Sequence, residues 1–263
     1  MAKDFLTALI YKLFQGTFIG ITLVLPGMSA GTALIILGFY RAFLKDISEL
    51  KVKRYFVMAF GMVVGVLISA FFITKMLELY PSILVSFLLG MLIASVKLVL
   101  TPDKFIKPNF IYIIFTIIGF IITWNISQPI VAFSGTLPQS PFIFFAGGVL
   151  TSATMLLPGV SGSAVLIMIN LYDNLLKSVV NMVIWPNLFV FTLGLIAGVL
   201  LFSRIITTLY NRFQGYVSYF LAGLLIGSTK ALFPEELNIF VIISAICGLT
   251  LVILLTGNKP QEN

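Results

Sequence analysis

Two short segments hold the residues best able to do chemistry in this chain: Pro26-Gly27-Met28-Ser29-Ala30-Gly31-Thr32 and Pro158-Gly159-Val160-Ser161-Gly162-Ser163, 132 residues apart in strongly apolar surroundings. The chemistry they suit is anion binding. Proline lacks a backbone N–H and glycine accepts positive φ, so each segment ends one helix and lets another begin. The first N–H groups of the new helix have no partner within it. The helix dipole adds about half a positive charge there, and glycine lets a phosphate or carboxylate reach the backbone. Ser29 or Thr32, and Ser161 or Ser163, supply caps or hydroxyl donors beside those amides. The plainer reading is that PG-x-S merely kinks packed helices; two copies at matching positions favour a site.

The elements that must position these segments are membrane helices. Hydrophobic residues make up 60% of the 263 and charged residues 10%, and the mean hydropathy is +1.13, outside the range of water-soluble domains. Apolar runs cover 5–25, 33–44, 55–79, 83–100, 110–126, 142–157, 164–171, 188–210, 216–233 and 239–256. A crossing needs about 20 apolar residues, and the runs after the two segments, 33–44 and 164–171, fall short of that. Each segment therefore reads as the tip of a re-entrant hairpin, over 5–44 and 142–171, with two full crossings per motif as the alternative. Broken backbone at membrane depth is tolerated only where it is buried in protein or lines a cavity. The expected fold class is an all-α polytopic membrane protein, an inverted-topology duplicated repeat with two re-entrant hairpins and about six full transmembrane helices.

The duplication extends past the motifs. An offset of 132 pairs Ser29 with Ser161, Leu34 with Leu166, Ile35 with Ile167 and Tyr40 with Tyr172. An offset of 133 then pairs Gly61 with Gly194, Gly65 with Gly198, Gly90 with Gly223, Ser95 with Ser228 and Lys97 with Lys230. The expected units are 1–130 and 131–263. Gly61-x-x-x-Gly65 and Gly194-x-x-x-Gly198 are spacings that let helices approach closely. Five apolar runs precede the second copy, an odd number, so the copies run in opposite directions. Recurrence of the first pattern at 142–164 argues against a signal peptide at the N-terminus. Most basic residues, Lys3, Arg41, Lys45, Lys51, Lys53, Arg54, Lys107, Arg212 and Lys259 among them, then fall on one side. By the positive-inside rule that side is cytoplasmic and holds both termini, while the uncharged stretch 125–141 lies outside.

Other classes are excluded. The net charge of +7 comes from 16 Lys and Arg scattered through short loops, which suits positive-inside bias and not a nucleic-acid stripe. The single Cys247 forbids an intramolecular disulfide, and the absence of histidine removes the commonest metal ligand and neutral-pH proton carrier. No metal site or cofactor is expected. Among isolated charges, Arg204 either snorkels or hands a phosphate toward the site. Lys12, two turns into the first run, lines a cytoplasmic vestibule if that run is re-entrant. Arg41 and Asp173 sit at matched positions after Tyr40 and Tyr172, as solvated loop charges or as site residues. Lys97 and Lys230 are headgroup-binding or interface-anchoring lysines.

A glycine-rich run leading into PG-x-S-x-G-T, then PG-x-S-G-S followed by an aliphatic stretch and a Tyr-acidic pair, resembles the bacterial polyprenyl-phosphate transporter family, formerly a domain of unknown function. The matching residues are Pro26, Gly27, Ser29, Gly31 and Thr32, then Pro158, Gly159, Ser161, Gly162, Ser163, Tyr172 and Asp173. Ala30 and Asp173 depart from the glycine and glutamate of that pattern. The resemblance implies return of undecaprenyl phosphate from the outer to the cytoplasmic leaflet of the bacterial plasma membrane, for recycling of the lipid carrier in cell-wall polymer synthesis. A coupling proton or cation is a possible further partner. Phe14-Gln15-Gly16 faintly resembles the start of undecaprenyl-pyrophosphate phosphatases, which also use duplicated PG-x-S segments. Their phosphoryl chemistry wants acids for a metal, a motif arginine and usually a histidine. This chain has no acid between Gln15 and Thr32 and places Gly162 where the arginine would stand. A small-anion transporter is the third class.

Overall fold

The computed structural model describes residues 2–24, 28–100, 107–126, 140–160 and 185–257, with residues 162, 165, 166, 169, 171 and 175 between the last two stretches. All regular structure among them is helical. In chain order the α-helices are α1 (Ala2–Val24), α2 (Ala30–Ile36), α3 (Tyr40–Ser48), α4 (Phe56–Leu79), α5 (Pro81–Leu100), α6 (Phe110–Ile126), α7 (Pro141–Leu156), α8 (Trp185–Arg212), α9 (Gln214–Ser228) and α10 (Ile239–Gly257). Short 3-10 turns at Val52–Tyr55 and Thr229–Leu232 precede α4 and follow α9.

Among the described residues, four helices are long and apolar enough to cross a membrane: α1, α4, α5 and α8. The first of these has 23 residues, about 35 Å at 1.5 Å per residue, while α2 after the break has seven. Conversely α6, α7 and α9 have 17, 16 and 15 residues, about 23–26 Å. The run 33–44 is not one helix. Gly38 takes φ 69, and the N–H groups of Gly38 and Phe39 donate to Ile35 O and Leu34 O, a Schellman closure that stops α2 before α3 begins.

The helices are apolar on the outside, as lipid requires. On α6, Ile113, Ile117 and Ile121 are exposed while Gly119 and Thr123 face inward. Hydrocarbon offers no hydrophobic drive for such faces to associate, so close backbone approach does the work. Helix α1 packs along α4, α7 along α8, α5 along α10 and α6 along α9. A Cβ on Gly16 would overlap Met58 O and one on Gly61 would overlap Leu13 O. In the second half a Cβ on Gly148 would overlap Phe191 O and one on Gly194 would overlap Phe145 O. These four second-half positions lie 132 or 133 residues after their first-half equivalents. In the other two helix pairs Gly90 backs onto Ala245 O and Gly223 onto Thr116 O, while Gly248 backs onto Phe87 O and Gly119 onto Phe220 O; here the offset is 133 between α5 and α9 and 129 between α6 and α10.

The principal core gathers around α2, all six of whose residues from Gly31 to Ile36 are buried. Leu84, Leu88 and Leu92 of α5 and Leu221, Leu224 and Leu225 of α9 belong to the same cluster. A helix apolar on every side is stable only when enclosed, and Met28 and Ser29 at its start are buried with it.

Candidate functional site

Ser29 initiates α2. Its backbone is extended at φ −131 and ψ 164, and its hydroxyl accepts the Thr32 N–H at 3.3 Å, the standard N-cap bond. The same hydroxyl donates to Leu157 O at 3.0 Å, just past the end of α7. Thr32 Oγ1 lies 3.2 Å from Ser29 Oγ and accepts the N–H of Gly159 at 3.0 Å. Ser29 and Thr32 are 3% and 0% exposed. The two sequence motifs, 132 residues apart, therefore touch through buried hydrogen bonds.

Two glycines make the meeting possible. A Cβ on Gly31 would overlap Leu156 O, so only glycine lets α2 lie against the last turn of α7. Gly159 has φ +82, and a Cβ there would stand 2.7 Å from Leu224 O and 3.0 Å from Ser228 Oγ. Left-handed backbone aims its N–H at Thr32 and presses it onto α9 at once. Pro158 is buried in this turn, and Gly162 lies against the side chains of Thr151 and Met155 on α7.

One contributor went unrecognised in the sequence. Tyr40, the first residue of α3 and 5% exposed, donates its hydroxyl to Leu156 O at 3.0 Å. Its only signal was the offset match with Tyr172. Tyr210 on α8 shares a hydrogen bond of 2.9 Å with Ser218 on α9, and the Arg41 guanidinium sits 4.7 Å above the Tyr210 ring. Arg41 is half-buried and follows Tyr40 directly on α3.

The remaining expected residues divide. Arg204 Nε donates to Ser48 O at 3.2 Å, tying α8 to the carbonyl end of α3, and its side chain is exposed. Lys12 is half-buried midway along α1, about 18 Å of helix before that helix ends. Lys230 Nζ donates to Trp124 O at 3.3 Å and lies 4.7 Å over the Trp124 ring. Pro26, Gly27, Ser161, Ser163 and Asp173 lie outside the described residues, as does the side chain of Glu78. Beyond the site, Asp46 is buried and accepts from Arg54 Nη1 and Tyr55 Oη, both at 2.7 Å, fixing the turn after α3. Exposed Glu49 and Lys51 pair at 2.5 Å; that bond lowers the carboxyl pKa and raises the ammonium pKa, so both stay charged around neutrality.

Fold and site together define a polytopic helical membrane protein whose two broken segments interlock inside its core. The chain belongs to the undecaprenyl phosphate translocase-like family, which matches it over residues 5–101 and 56–248. It is also similar to the polyprenyl-phosphate transporter of Vibrio cholerae serotype O1, with 26% identity over 242 residues, covering 84% of this chain and 76% of that one. No solved structure matches.

Proposed function

We propose that this protein is a transporter, not an enzyme, that carries polyprenyl phosphate across the bacterial plasma membrane. Undecaprenyl phosphate is the substrate in view, moved from the outer to the cytoplasmic leaflet for reuse in cell-wall polymer synthesis. The observation that carries the reading is the junction of the two breaks, where Ser29, Thr32 and the Gly159 amide meet in an otherwise apolar core. The phosphate would replace Leu157 O and Thr32 Oγ1 as acceptor for the Ser29 hydroxyl and the Gly159 N–H, and the isoprenoid tail stays in lipid while the headgroup crosses. Ser29, Thr32, Ser161, Ser163 and the backbone around Gly27, Gly31, Gly159 and Gly162, flanked by Pro26 and Pro158, form the proposed headgroup site. Arg41, Lys12, Arg204 and Asp173 are its proposed flanking charges.

The scaffold we infer is two inverted repeats, 1–130 and 131–263, each with a re-entrant hairpin, with both termini in the cytoplasm. Support comes from the matching glycine-to-carbonyl contacts of the two halves. Cysteines at Lys51 and Lys107 in a Cys247→Ala background should be labelled only from the cytoplasm and one at Gly135 only from outside. Labelling of Lys51 and Gly135 from one side would refute this topology.

Inward movement of an anion opposes a cytoplasm-negative potential by about 2.3 kcal/mol per charge per 100 mV. Transport is therefore coupled to protons or another cation. The carrier is the phosphate itself, whose second pKa is about 6, or an acid such as Asp173 or Glu78. In proteoliposomes, leaflet accessibility of undecaprenyl phosphate should change in the presence of the protein and respond to an imposed proton gradient or potential. Movement of inorganic phosphate instead would indicate a small-anion transporter, and release of phosphate from the pyrophosphate lipid would indicate an enzyme.

A further inference from the structure

Helix α7 ends at the junction with its carbonyl face forward. The last carbonyls of a helix have no partner within it and carry the negative end of its dipole, about half a unit charge. An anion held beside that end would be repelled at short range. Two of the exposed-end carbonyls are covered by donors from the other half of the chain: Leu156 O takes the Tyr40 hydroxyl and Leu157 O takes the Ser29 hydroxyl, each at 3.0 Å. The Tyr40 ring is buried. We propose that Tyr40 is a positioning residue for the anion: its hydroxyl, delivered by α3, neutralises the carbonyl end of α7 and so sets the preference for a charged headgroup over a neutral one. This assignment rests on the functional reading above. It gives Tyr40 a role in charge selection that burial of an aromatic ring alone would not.

Tyr40→Phe keeps the ring and removes only the donor. The full chain in detergent would be titrated with a short-chain polyprenyl phosphate and with the matching polyprenol. The affinity of Tyr40→Phe for the phosphate should fall about tenfold, the scale of one lost hydrogen bond beside a charge, with alcohol affinity within about twofold of wild type. Equal losses for both lipids, or full retention of the phosphate preference, overturn the assignment. If Tyr40→Phe yields too little folded protein, replacing Tyr40 by p-aminophenylalanine and by p-methylphenylalanine makes the same test. Both fill the pocket, and only the first, a donor, should keep the preference. A wild-type protein that binds both lipids equally defeats the functional reading, and the role of Tyr40 falls with it. A wild-type preference that survives in Tyr40→Phe defeats only the role of Tyr40.

Discussion

The two helix breaks meet with different groups in hand: the first offers side-chain hydroxyls from Ser29 and Thr32, the second offers backbone at Leu156, Leu157 and Gly159. Around them the halves pack alike, glycine for glycine and carbonyl for carbonyl, along α1 with α4 and along α7 with α8. The divergence is written in the sequence. At the offset of 132, Thr32 corresponds to Ala164 and Gly31 to Ser163. An alanine side chain cannot accept an N–H as Thr32 does, so position 164 differs in chemistry from its counterpart. Duplication thus preserves the close backbone contacts that hold helices together in lipid, where small residues are the main means of association. Among the described residues, the junction uses hydroxyls of the first half on carbonyls of the second and a backbone N–H of the second half on a hydroxyl of the first.

The largest effect expected is at the second break. Gly159→Val should abolish transport in proteoliposomes while leaving membrane insertion intact. It adds a β-branched residue at φ +82, a backbone cost of about 1–2 kcal/mol, and drives its Cβ onto Leu224 O. Gly162→Val should be milder, since a Cβ there would meet side-chain atoms of Thr151 and Met155 first, with backbone Thr151 O at an ordinary 3.6 Å. Equal activity in the two variants would remove the special place given to Gly159.

Next comes the first break. Thr32→Val leaves the buried Gly159 N–H without its acceptor, a penalty of about 1–3 kcal/mol. Transport should fall about tenfold or more, while Thr32→Ser should recover most of it. If valine is tolerated as well as serine, the hydroxyl junction is not part of the working site.

The sameness of the scaffold can be probed with Gly61→Ala and Gly194→Ala. Each pushes a methyl group onto a carbonyl of the neighbouring helix, Leu13 O or Phe145 O. Their melting temperatures in detergent should drop by similar amounts, and a loss confined to one half would break the equivalence. The smallest effect belongs to Arg204→Gln. As a flanking charge at the exposed surface, already bonded to Ser48 O, Arg204 is expected to steer the headgroup weakly, so its loss should lower transport by only about twofold. A tenfold loss would mean that Arg204 handles the headgroup.

Much of this architecture was legible beforehand because apolar runs and helices coincide when lipid is the solvent. The run 110–126 is α6 to the residue, Pro158 marked the end of α7 at Leu156, and Ser29 marked the start of a new helix at Ala30. The split between α2 and α3 was missed, although Gly38 stood inside the run 33–44. Hydropathy does not register a change of backbone hand. Tyr40 was hidden for a similar reason: its partner is a backbone carbonyl, which every residue carries and no sequence pattern labels. Tyr210 gave no signal at all as one of nine tyrosines.

The central claim is that a lipid phosphate sits where the two breaks join. A polyprenyl phosphate bearing a photoreactive group on the carbon next to the phosphate would be crosslinked to the reconstituted protein and the labelled residues mapped by mass spectrometry. Labelling should fall within 28–36 and 156–162, should be suppressed by excess unmodified polyprenyl phosphate, and should be lost in Gly159→Val. Crosslinks confined to the exposed basic stretch 51–54, or unaffected by competition, would contradict the account.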